Sequence, residues 1–359
     1  MQRQIALLAL LVTLAGCTAA AGSGASSPAA SPSTSASVDD GLVDIGAGVR
    51  GPAGLVATAY ASGPANVASL AFGADGRLWL GTAAYTDSGT DGVYLVVDGG
   101  AVREVVSGLH TVLGLLWYDD ELYVASAGSV TAYGGFDGTA FGSRRIVVEI
   151  PAGTGEVNGL ALGPDGRLRL GISAPCDHCT PTAEYSASVV SFLPNGGDLR
   201  IDADGIRAPV GLAYIPGTSD LLVSMDQRDD LGTATPGDWL GVVAAGQSWG
   251  FPDCYGQGGT ACAAVPTPVA VLDPHAAVSG VAVVSGSPGS TIGTSALVAE
   301  WSLGRIQRVG LTTTAEGYRG TVEPFLAGIA SPVGLAVAPD GSILVGDWSS
   351  GTIYRIAPG

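Results

Sequence analysis

One phrase recurs six times along this chain, and an internal repeat of this kind restricts the possible folds more than any other feature. Each copy consists of a small residue, two apolar residues, a polar turn and a second apolar run. The copies begin at Ser69, Gly114, Gly159, Gly211, Gly280 and Gly334. Successive copies begin 45, 45, 52, 69 and 54 residues apart, and such spacings fit a β-propeller blade of four short strands with variable loops.

The turns inside the phrase predict how each copy folds. Asp-Gly pairs at 75–76, 165–166 and 340–341 lie between two apolar runs, and this is the strongest short-range signal for a β-hairpin. Helical spacing of apolar residues is nearly absent, and the near-continuous apolar runs indicate sheets that are buried on both faces. The sequence therefore predicts an all-β fold, a single β-propeller with six blades. Five or seven blades stay open, because the first blade can borrow a strand from the C-terminus.

The composition indicates one large folded body with an acidic surface. Of the 359 residues, 47% are hydrophobic and only 13% are charged, which excludes a disordered chain and allows a large core. The formal net charge is -17, and no run of basic residues exists, which argues against nucleic acid and anionic membrane surfaces as partners. We expect a monomer that acts on a small molecule.

The first forty residues are interpreted as an export signal and a tether. The apolar run from Ile5 to Leu14 is too short to span a bilayer as a permanent helix. It ends in Leu-Ala-Gly before Cys17, which resembles the bacterial lipobox and implies cleavage there and a lipid on the Cys17 thiol; an ordinary secretory signal is the alternative. We divide the chain into a signal peptide (1–16), a flexible Ala/Ser/Pro/Gly tether (17–40) and the propeller (41–359). The protein is expected to be extracytoplasmic and anchored to the bacterial membrane.

Four further cysteines follow Cys17. An even number of cysteines in an exported chain favours disulfides. Pairing of nearest neighbours predicts the bonds Cys176–Cys179 and Cys254–Cys262. The alternative is a zinc site that takes ligands from both pairs.

Several stretches of the second half carry a likeness to a known family. They are residues 163–168, 175–179, 205–213, 226–232, 236–239, 249–256, 274–277 and 339–355. These stretches resemble the soluble PQQ-dependent glucose/sorbosone dehydrogenases, a family of six-bladed propellers, most clearly over about residues 155–262. The resemblance implies an enzyme that oxidises a sugar or alcohol, with the tricarboxylate quinone PQQ as hydride acceptor and calcium as a second cofactor.

The resemblance also implies site residues. Arg207 occupies the position of a quinone-contacting arginine, while the asparagine that follows it in the family is Ala208 here. The family's catalytic histidine would lie four residues before the third copy of the phrase, and Gly155 occupies that place. His275, in a matching Pro-His motif, and His110, at the same place one blade earlier, are therefore the candidate catalytic bases.

Other candidates are less specific. Asp229, Asp230 and Asp238 provide the oxygen ligands that Ca²⁺ prefers, although a solvated loop has the same composition. Trp249 is a candidate for stacking on the quinone or on a sugar, or else it packs beneath the Cys254–Cys262 loop.

Two other functions stay open. A catalytically inactive propeller that binds a ligand or a protein outside the cytoplasm is favoured by Gly155 and Ala208. A calcium-dependent hydrolase of the lactonase type would share the same repeat phrase.

Overall fold

A computed structural model of the protein describes residues 41–86, 89–255, 262–286 and 293–359. The predicted signal peptide, Cys17 and the predicted tether lie outside these residues, so lipid anchoring stays a prediction. Among the helices in the described ranges, none has the length and apolar character to cross a membrane. The helical segments found in these ranges are short 3₁₀ turns at Asp98–Gly100 and Gly232–Ala234.

Three strands open the described chain. They are β1 (Val43–Gly46), β2 (Val49–Gly51) and β3 (Leu55–Ser62). Beyond the hairpin that β1 forms with β2, the partners of these strands come from the C-terminal part of the chain.

The next eight strands form blades 1 and 2, each a four-stranded antiparallel sheet in which consecutive strands are neighbours. Blade 1 consists of β4 (Val67–Phe72), β5 (Leu78–Thr82), β6 (Asp91–Val96) and β7 (Val102–Leu109). Blade 2 consists of β8 (Gly114–Tyr118), β9 (Glu121–Ser126), β10 (Ser129–Phe136) and β11 (Phe141–Glu149).

In blades 3 and 4, too, strands of one blade that follow one another along the chain are neighbours in the sheet, and blade 3 has one additional short strand at its outer edge. The strands are β12 (Val157–Leu162), β13 (Leu168–Ile172), β14 (Ser188–Phe192), β15 (Arg200–Asp204), β16 (Pro209–Tyr214), β17 (Leu221–Met225), β18 (Trp239–Val243), β19 (Gln247–Ser248) and β20 (Ala270–Val271). Blade 3 is β12 to β15, extended by β19, which pairs with β15 in parallel. Blade 4 is β16, β17, β18 and β20.

The last two blades close the ring. The strands are β21 (Val278–Val284), β22 (Ser295–Glu300), β23 (Arg305–Thr314), β24 (Gly317–Ala327), β25 (Pro332–Val337), β26 (Ile343–Asp347) and β27 (Thr352–Pro358). Blade 5 is β21 to β24, extended by β2 and β1, and blade 6 is β25 to β27 completed by β3. The prediction of six blades is confirmed. The strand exchange runs opposite to the one considered from the sequence, because the last blade takes its outer strand from the N-terminal part.

The small residue that opens each copy of the phrase lies in the innermost strand of its blade, where neighbouring blades approach closely. A Cβ atom on Gly280 would lie 2.3 Å from the carbonyl oxygen of Val333 in the next innermost strand. Ser69 takes the equivalent place in blade 1, and its hydroxyl donates to the carbonyl of Val112 at 3.0 Å. Close packing of the inner strands therefore selects glycine or serine here.

The hydrophobic core is divided among the interfaces between blades. Each pair of adjacent blades, including the pair formed by blades 6 and 1, encloses a cluster of buried apolar side chains. Between blades 1 and 2, for example, Trp79 packs edge-on against Phe136 with ring centroids 4.9 Å apart. Both faces of every sheet are thus covered, which explains the near-continuous apolar runs.

Candidate ligand site on the propeller axis

A cavity of about 420 Å³ opens on the propeller axis, at the end where the innermost strands begin. This volume falls within the range of small-molecule sites. All six blades contribute to its wall. The lining residues are Ala68, Ala84, Tyr85, Leu113, Glu156, Asn158, Ser173, Ala174, Arg207, Ala208, Val210, Asp226, Ala277, Val278, Ser279, Trp301, Val333 and Trp348.

Several polar and aromatic lining residues directly follow the second strand of a blade. Asp226 follows β17, Trp301 follows β22 and Trp348 follows β26, while Tyr85 lies three residues beyond β5. Because these strands end at the same face of the propeller, the residue that follows each one is brought to the rim of the cavity. None of these four residues is among the site residues predicted from the sequence. Their shared position at the end of the second strand in the repeat is the signal that would have found them.

The aromatic part of the wall lies mainly at the junction of blades 5, 6 and 1. The rings of Trp301 and Trp348 meet edge to face, with centroids 5.9 Å apart and planes at 82°. The indole N–H of Trp348 donates to the carbonyl of Ala83 at 2.8 Å, which fixes this ring across the junction of blades 6 and 1. Tyr85 adds a third ring, which is largely exposed.

Arg207 lies in the cavity wall, as the resemblance implies, but its charge is already balanced. One guanidinium nitrogen donates to the carbonyl and the carboxylate of Asp226, at 3.0 and 3.1 Å. The other donates to the carboxylate of Asp177. Only 15% of the arginine side chain is exposed. The two ion pairs engage its terminal nitrogens, whereas Nε is buried and has no hydrogen-bond partner in the described part of the chain. Its role in holding a cofactor stays a prediction.

Two carboxylates line the wall, Asp226, which is paired with Arg207, and Glu156, which has no cationic partner among the described residues. Burial raises the pKa of Asp226 to about 6, against the opposing effect of Arg207. Glu156 contributes an exposed carboxylate that makes no ion pair or side-chain hydrogen bond with the described residues. The cavity wall therefore presents negative charge that its single arginine does not cancel.

The place expected for the catalytic histidine has no space for a side chain. The backbone N–H of Gly155 donates to the carbonyl of Ser173 at 2.9 Å. A Cβ atom on Gly155 would lie 2.2 Å from the carbonyl oxygen of Ala174. Glycine is required here by the close approach of two chain segments.

His275 is a candidate base that the structure places outside the cavity lining. Its Nδ1 lies 2.6 Å from the Asp229 carboxylate and its Nε2 lies 2.8 Å from the carbonyl oxygen of Gly232. Both partners are acceptors, so both ring nitrogens have to donate, and the imidazolium form is favoured. The Gly232 carbonyl, followed by Asp229, raises the pKa of His275. In this arrangement no ring nitrogen is free to take a proton from a substrate.

His110 lies near the cavity without lining it. Its Nδ1 is 3.4 Å from the carbonyl oxygen of Thr86, and the ring is half-buried. The structure thus places neither candidate histidine among the residues that line the axial cavity. Their catalytic roles stay predictions.

The three candidate calcium ligands point to different partners. Asp229 pairs with His275, while Asp230 accepts two hydrogen bonds from Arg228, each of 2.6 Å. In the ranges that the structure describes, no group of three or more His, Cys, Asp or Glu side chains is arranged to hold a metal ion. A calcium site at this loop stays a prediction from the sequence.

Asp238 has an architectural role that also occurs in blade 1. Its two carboxylate oxygens accept the N–H groups of Gln227 and Val278, at 2.8 and 3.0 Å, and thereby tie blade 4 to the start of blade 5. Asp91 links Ala84 to the start of blade 2 in the same way. The repetition indicates that these carboxylates hold adjacent blades together.

Both predicted disulfides are present, Cys176–Cys179 and Cys254–Cys262. The alternative of a zinc site built from these cysteines is wrong, because all four sulfur atoms are used in the two bonds. The first disulfide closes the four-residue loop that carries Asp177, the partner of Arg207. The loop thus supplies one of the charges that neutralise the arginine.

Trp249 packs in the core and does not line the axial cavity. Its ring stacks on Trp239, with centroids 4.4 Å apart and planes at 19°, and the residue is 5% exposed. It belongs to the hydrophobic cluster between blades 3 and 4. Contact with a cofactor ring stays a prediction for this residue.

Comparisons with known proteins agree with this architecture. No protein-family profile matches the chain, and no curated protein matches it. Among solved structures, the PQQ-bound aldose sugar dehydrogenase of Streptomyces coelicolor is 20% identical, with a TM-score of 0.66, over 86% of this chain and 99% of that one. The fold is that of the sugar-dehydrogenase propellers.

Two further solved structures extend the comparison. The soluble aldose sugar dehydrogenase of Escherichia coli, in its apo form, is 15% identical with a TM-score of 0.66, over 85% of this chain and 100% of that one. A carbohydrate-active enzyme of family AA12 from Trichoderma reesei, in its calcium form, is 15% identical with a TM-score of 0.68, over 86% of this chain and 96% of that one. At these identities the similarity establishes the fold.

The charge of the cavity wall can be compared with that of the implied cofactor. A tricarboxylate quinone would bring three negative charges to a wall that already carries Glu156 and Asp226. Among the described lining residues, Arg207 is the only cation, and it is paired with two carboxylates. Like charges in a shared site repel one another and need cations to balance them. On charge, these residues do not fit a tricarboxylate quinone.

Proposed function

We propose that this protein is a sugar-dehydrogenase-like propeller that binds a sugar, or another small polyhydroxylated alcohol, in its axial cavity. The observation that carries the proposal is the wall of that cavity, where aromatic rings and unpaired hydrogen-bond acceptors line one concave volume of about 420 Å³. Concave sites that combine apolar rings with a few polar groups are typical of small-molecule binding.

The acceptors are held in place by the third blade. The amide nitrogen of Asn158 donates to the hydroxyl of Ser173 at 2.9 Å and to the carbonyl of Glu156 at 3.3 Å. These bonds fix the amide, whose oxygen has no partner among the described residues and can accept from a sugar hydroxyl. The Glu156 carboxylate provides a second acceptor, and the rings of Trp301 and Tyr85 provide faces for the apolar side of a sugar.

Oxidation of the bound sugar with PQQ as hydride acceptor is the sequence-based part of the proposal. It is supported by the fold shared with sugar dehydrogenases, one of which is described in its PQQ-bound form. This similarity does not favour the alternative of a catalytically inactive propeller. The carboxylates of the cavity oppose a tricarboxylate, so we propose sugar binding as the function of the described site and test oxidation separately.

We further propose that the propeller is exported and attached to the membrane by a lipid on Cys17. The support comes from the lipobox-like residues 14–17 and from the apolar run before them. Phase partitioning in detergent tests this proposal: the wild type should enter the detergent phase, and Cys17→Ser should move to the aqueous phase. Identical partitioning of the two proteins would refute it.

Calorimetric titration of the purified protein with D-glucose tests the sugar site. Trp301→Ala should weaken binding roughly threefold to tenfold, because one aromatic face is lost. Tyr60→Ala is the matched control. Tyr60 lies in the outer strand β3, away from the cavity, and it is 37% exposed, whereas Trp301 is 38% exposed. Equal effects of both substitutions, or no binding of D-glucose and related aldoses by the wild type, would contradict the proposal.

A second arm of the experiment measures dye-linked sugar oxidation with and without added PQQ and calcium. The charge of the wall predicts that the quinone binds weakly, with little bound quinone absorbance at micromolar concentration. Stoichiometric binding of PQQ would show that this reading of the wall is wrong. Oxidation that depends on PQQ and is lost in Trp301→Ala would assign the enzymatic activity to this cavity.

A further inference from the structure

We propose that the axial cavity selects a positively charged sugar, an amino sugar with a free ammonium group. The inference deepens the proposed function and depends on it, because it names the substrate class of the same site. It is carried by two independent features of the wall: the balance of its charged groups and its aromatic rings.

The charge balance leaves the wall negative. Arg207 is shared between Asp177 and Asp226, so this trio by itself carries one net negative charge when both acids are ionised. Glu156 adds a carboxylate that has no cationic partner among the described residues. A cation of the ligand would therefore meet unbalanced negative charge in a concave site, where solvent screens interactions less than it does on an open surface.

The aromatic rings favour the same ligand charge. A cation that lies over the face of an aromatic ring is attracted by the negative charge of that face, most strongly for tryptophan. Trp301, Trp348 and Tyr85 all line the cavity. The wall therefore combines aromatic rings with carboxylates, and aromatic cages are typical of sites for organic ammonium groups.

The neutral polar groups of the wall suit the hydroxyl groups of a sugar. Asn158 and Ser173 are linked to each other by a hydrogen bond of 2.9 Å and carry no charge. They suit hydroxyl groups, which can donate and accept. The net charge of -17 on the chain adds a long-range field that draws cations toward the protein and falls off with added salt.

Calorimetric titration with D-glucosamine, N-acetyl-D-glucosamine and D-glucose at pH 6.5 tests the inference. At this pH the free amine of D-glucosamine is mostly protonated. D-glucosamine should bind roughly tenfold more tightly than D-glucose, whereas the neutral N-acetyl sugar should show no such gain. Added salt should weaken the binding of D-glucosamine and leave that of D-glucose nearly unchanged.

Variants assign the effect to the cavity. Glu156→Gln should reduce the affinity for D-glucosamine several-fold more than that for D-glucose. Glu149→Gln is the control, because Glu149 is an exposed residue at the end of the outer strand β11. If D-glucose binds and D-glucosamine binds no more tightly, the inference is wrong while the proposed sugar site stands. If neither sugar binds, the proposed function itself fails.

Discussion

The carbonyl oxygen of Ala174 lies 2.2 Å from the point where a Cβ atom on Gly155 would be placed. The start of the third blade and the end of its second strand β13 are in direct backbone contact there, through the hydrogen bond from the Gly155 N–H to Ser173. A histidine cannot occupy this position without moving one of the two segments. The departure from the family pattern at Gly155 is thus built into the backbone of the blade.

Substitution of Gly155 should therefore destabilise the fold. Gly155→Ala is expected to lower the free energy of unfolding by about 1–3 kcal/mol, because the new methyl group forces the backbone of residue 174 to shift. Urea unfolding measures this change. Gly310→Ala is the control, since its Cβ would meet only the Thr321 carbonyl oxygen at 3.8 Å, and its effect should stay within about 0.5 kcal/mol. Equal stability of Gly155→Ala and the wild type would contradict the close approach of residues 155 and 174.

The ion pairs of Arg207 predict a large effect of its removal. Arg207→Ala leaves Asp226 and Asp177 without their cation, and it should reduce the free energy of unfolding at pH 7 by about 2–4 kcal/mol. Arg200→Ala, whose side chain is 51% exposed and also faces two carboxylates, should cost less than about 1 kcal/mol. A similar loss in both variants would show that the Arg207 pairs contribute no more than surface pairs do.

The environment of His275 predicts its titration. Its two acceptor partners raise its pKa above the ordinary value of 6.5, which proton NMR of the imidazole ring can measure. Asp229→Asn should lower this pKa. Because the pKa is raised in the folded state, the stabilising effect of His275 is fully present below about pH 6.5 and is lost as the pH rises through the folded pKa.

Stability measurements provide the second readout for His275. His275→Gln should therefore destabilise the protein more at pH 6 than at pH 8. A measured pKa at or below 6.5, or a difference in stability that grows with pH, would show that the imidazolium arrangement is not present in solution.

The repeat made most of the fold predictable. The small residue and the apolar pair of each copy fall in the innermost strand, and the second apolar run falls in the next strand, as in β4 and β5. These features are predictable because they depend on local turn chemistry and on close packing. The closure of the ring was not predictable, since the residues of β3 contain no signal for their partner β27, almost three hundred residues away.

The site was predictable only where chain position determines it. Arg207 lies two residues before the fourth innermost strand, and such positions face the axis, so its place in the wall could be foreseen. His275 and Asp229 also match the family's motifs, but their loops turn them toward each other. Trp301 and Trp348 each follow the second strand of a blade, and this shared position in the repeat was the signal for placing them in the wall.

The central claim is that the axial cavity is the ligand site, and a crystal structure of the protein soaked with D-glucose tests it most directly. The account predicts sugar density between the rings of Trp301 and Tyr85, with a sugar hydroxyl within hydrogen-bonding distance of the Asn158 amide oxygen or the Glu156 carboxylate. Density in the same cavity should be lost or weakened in crystals of Trp301→Ala. Sugar density at another surface only, with the axial cavity filled by water, would contradict the account.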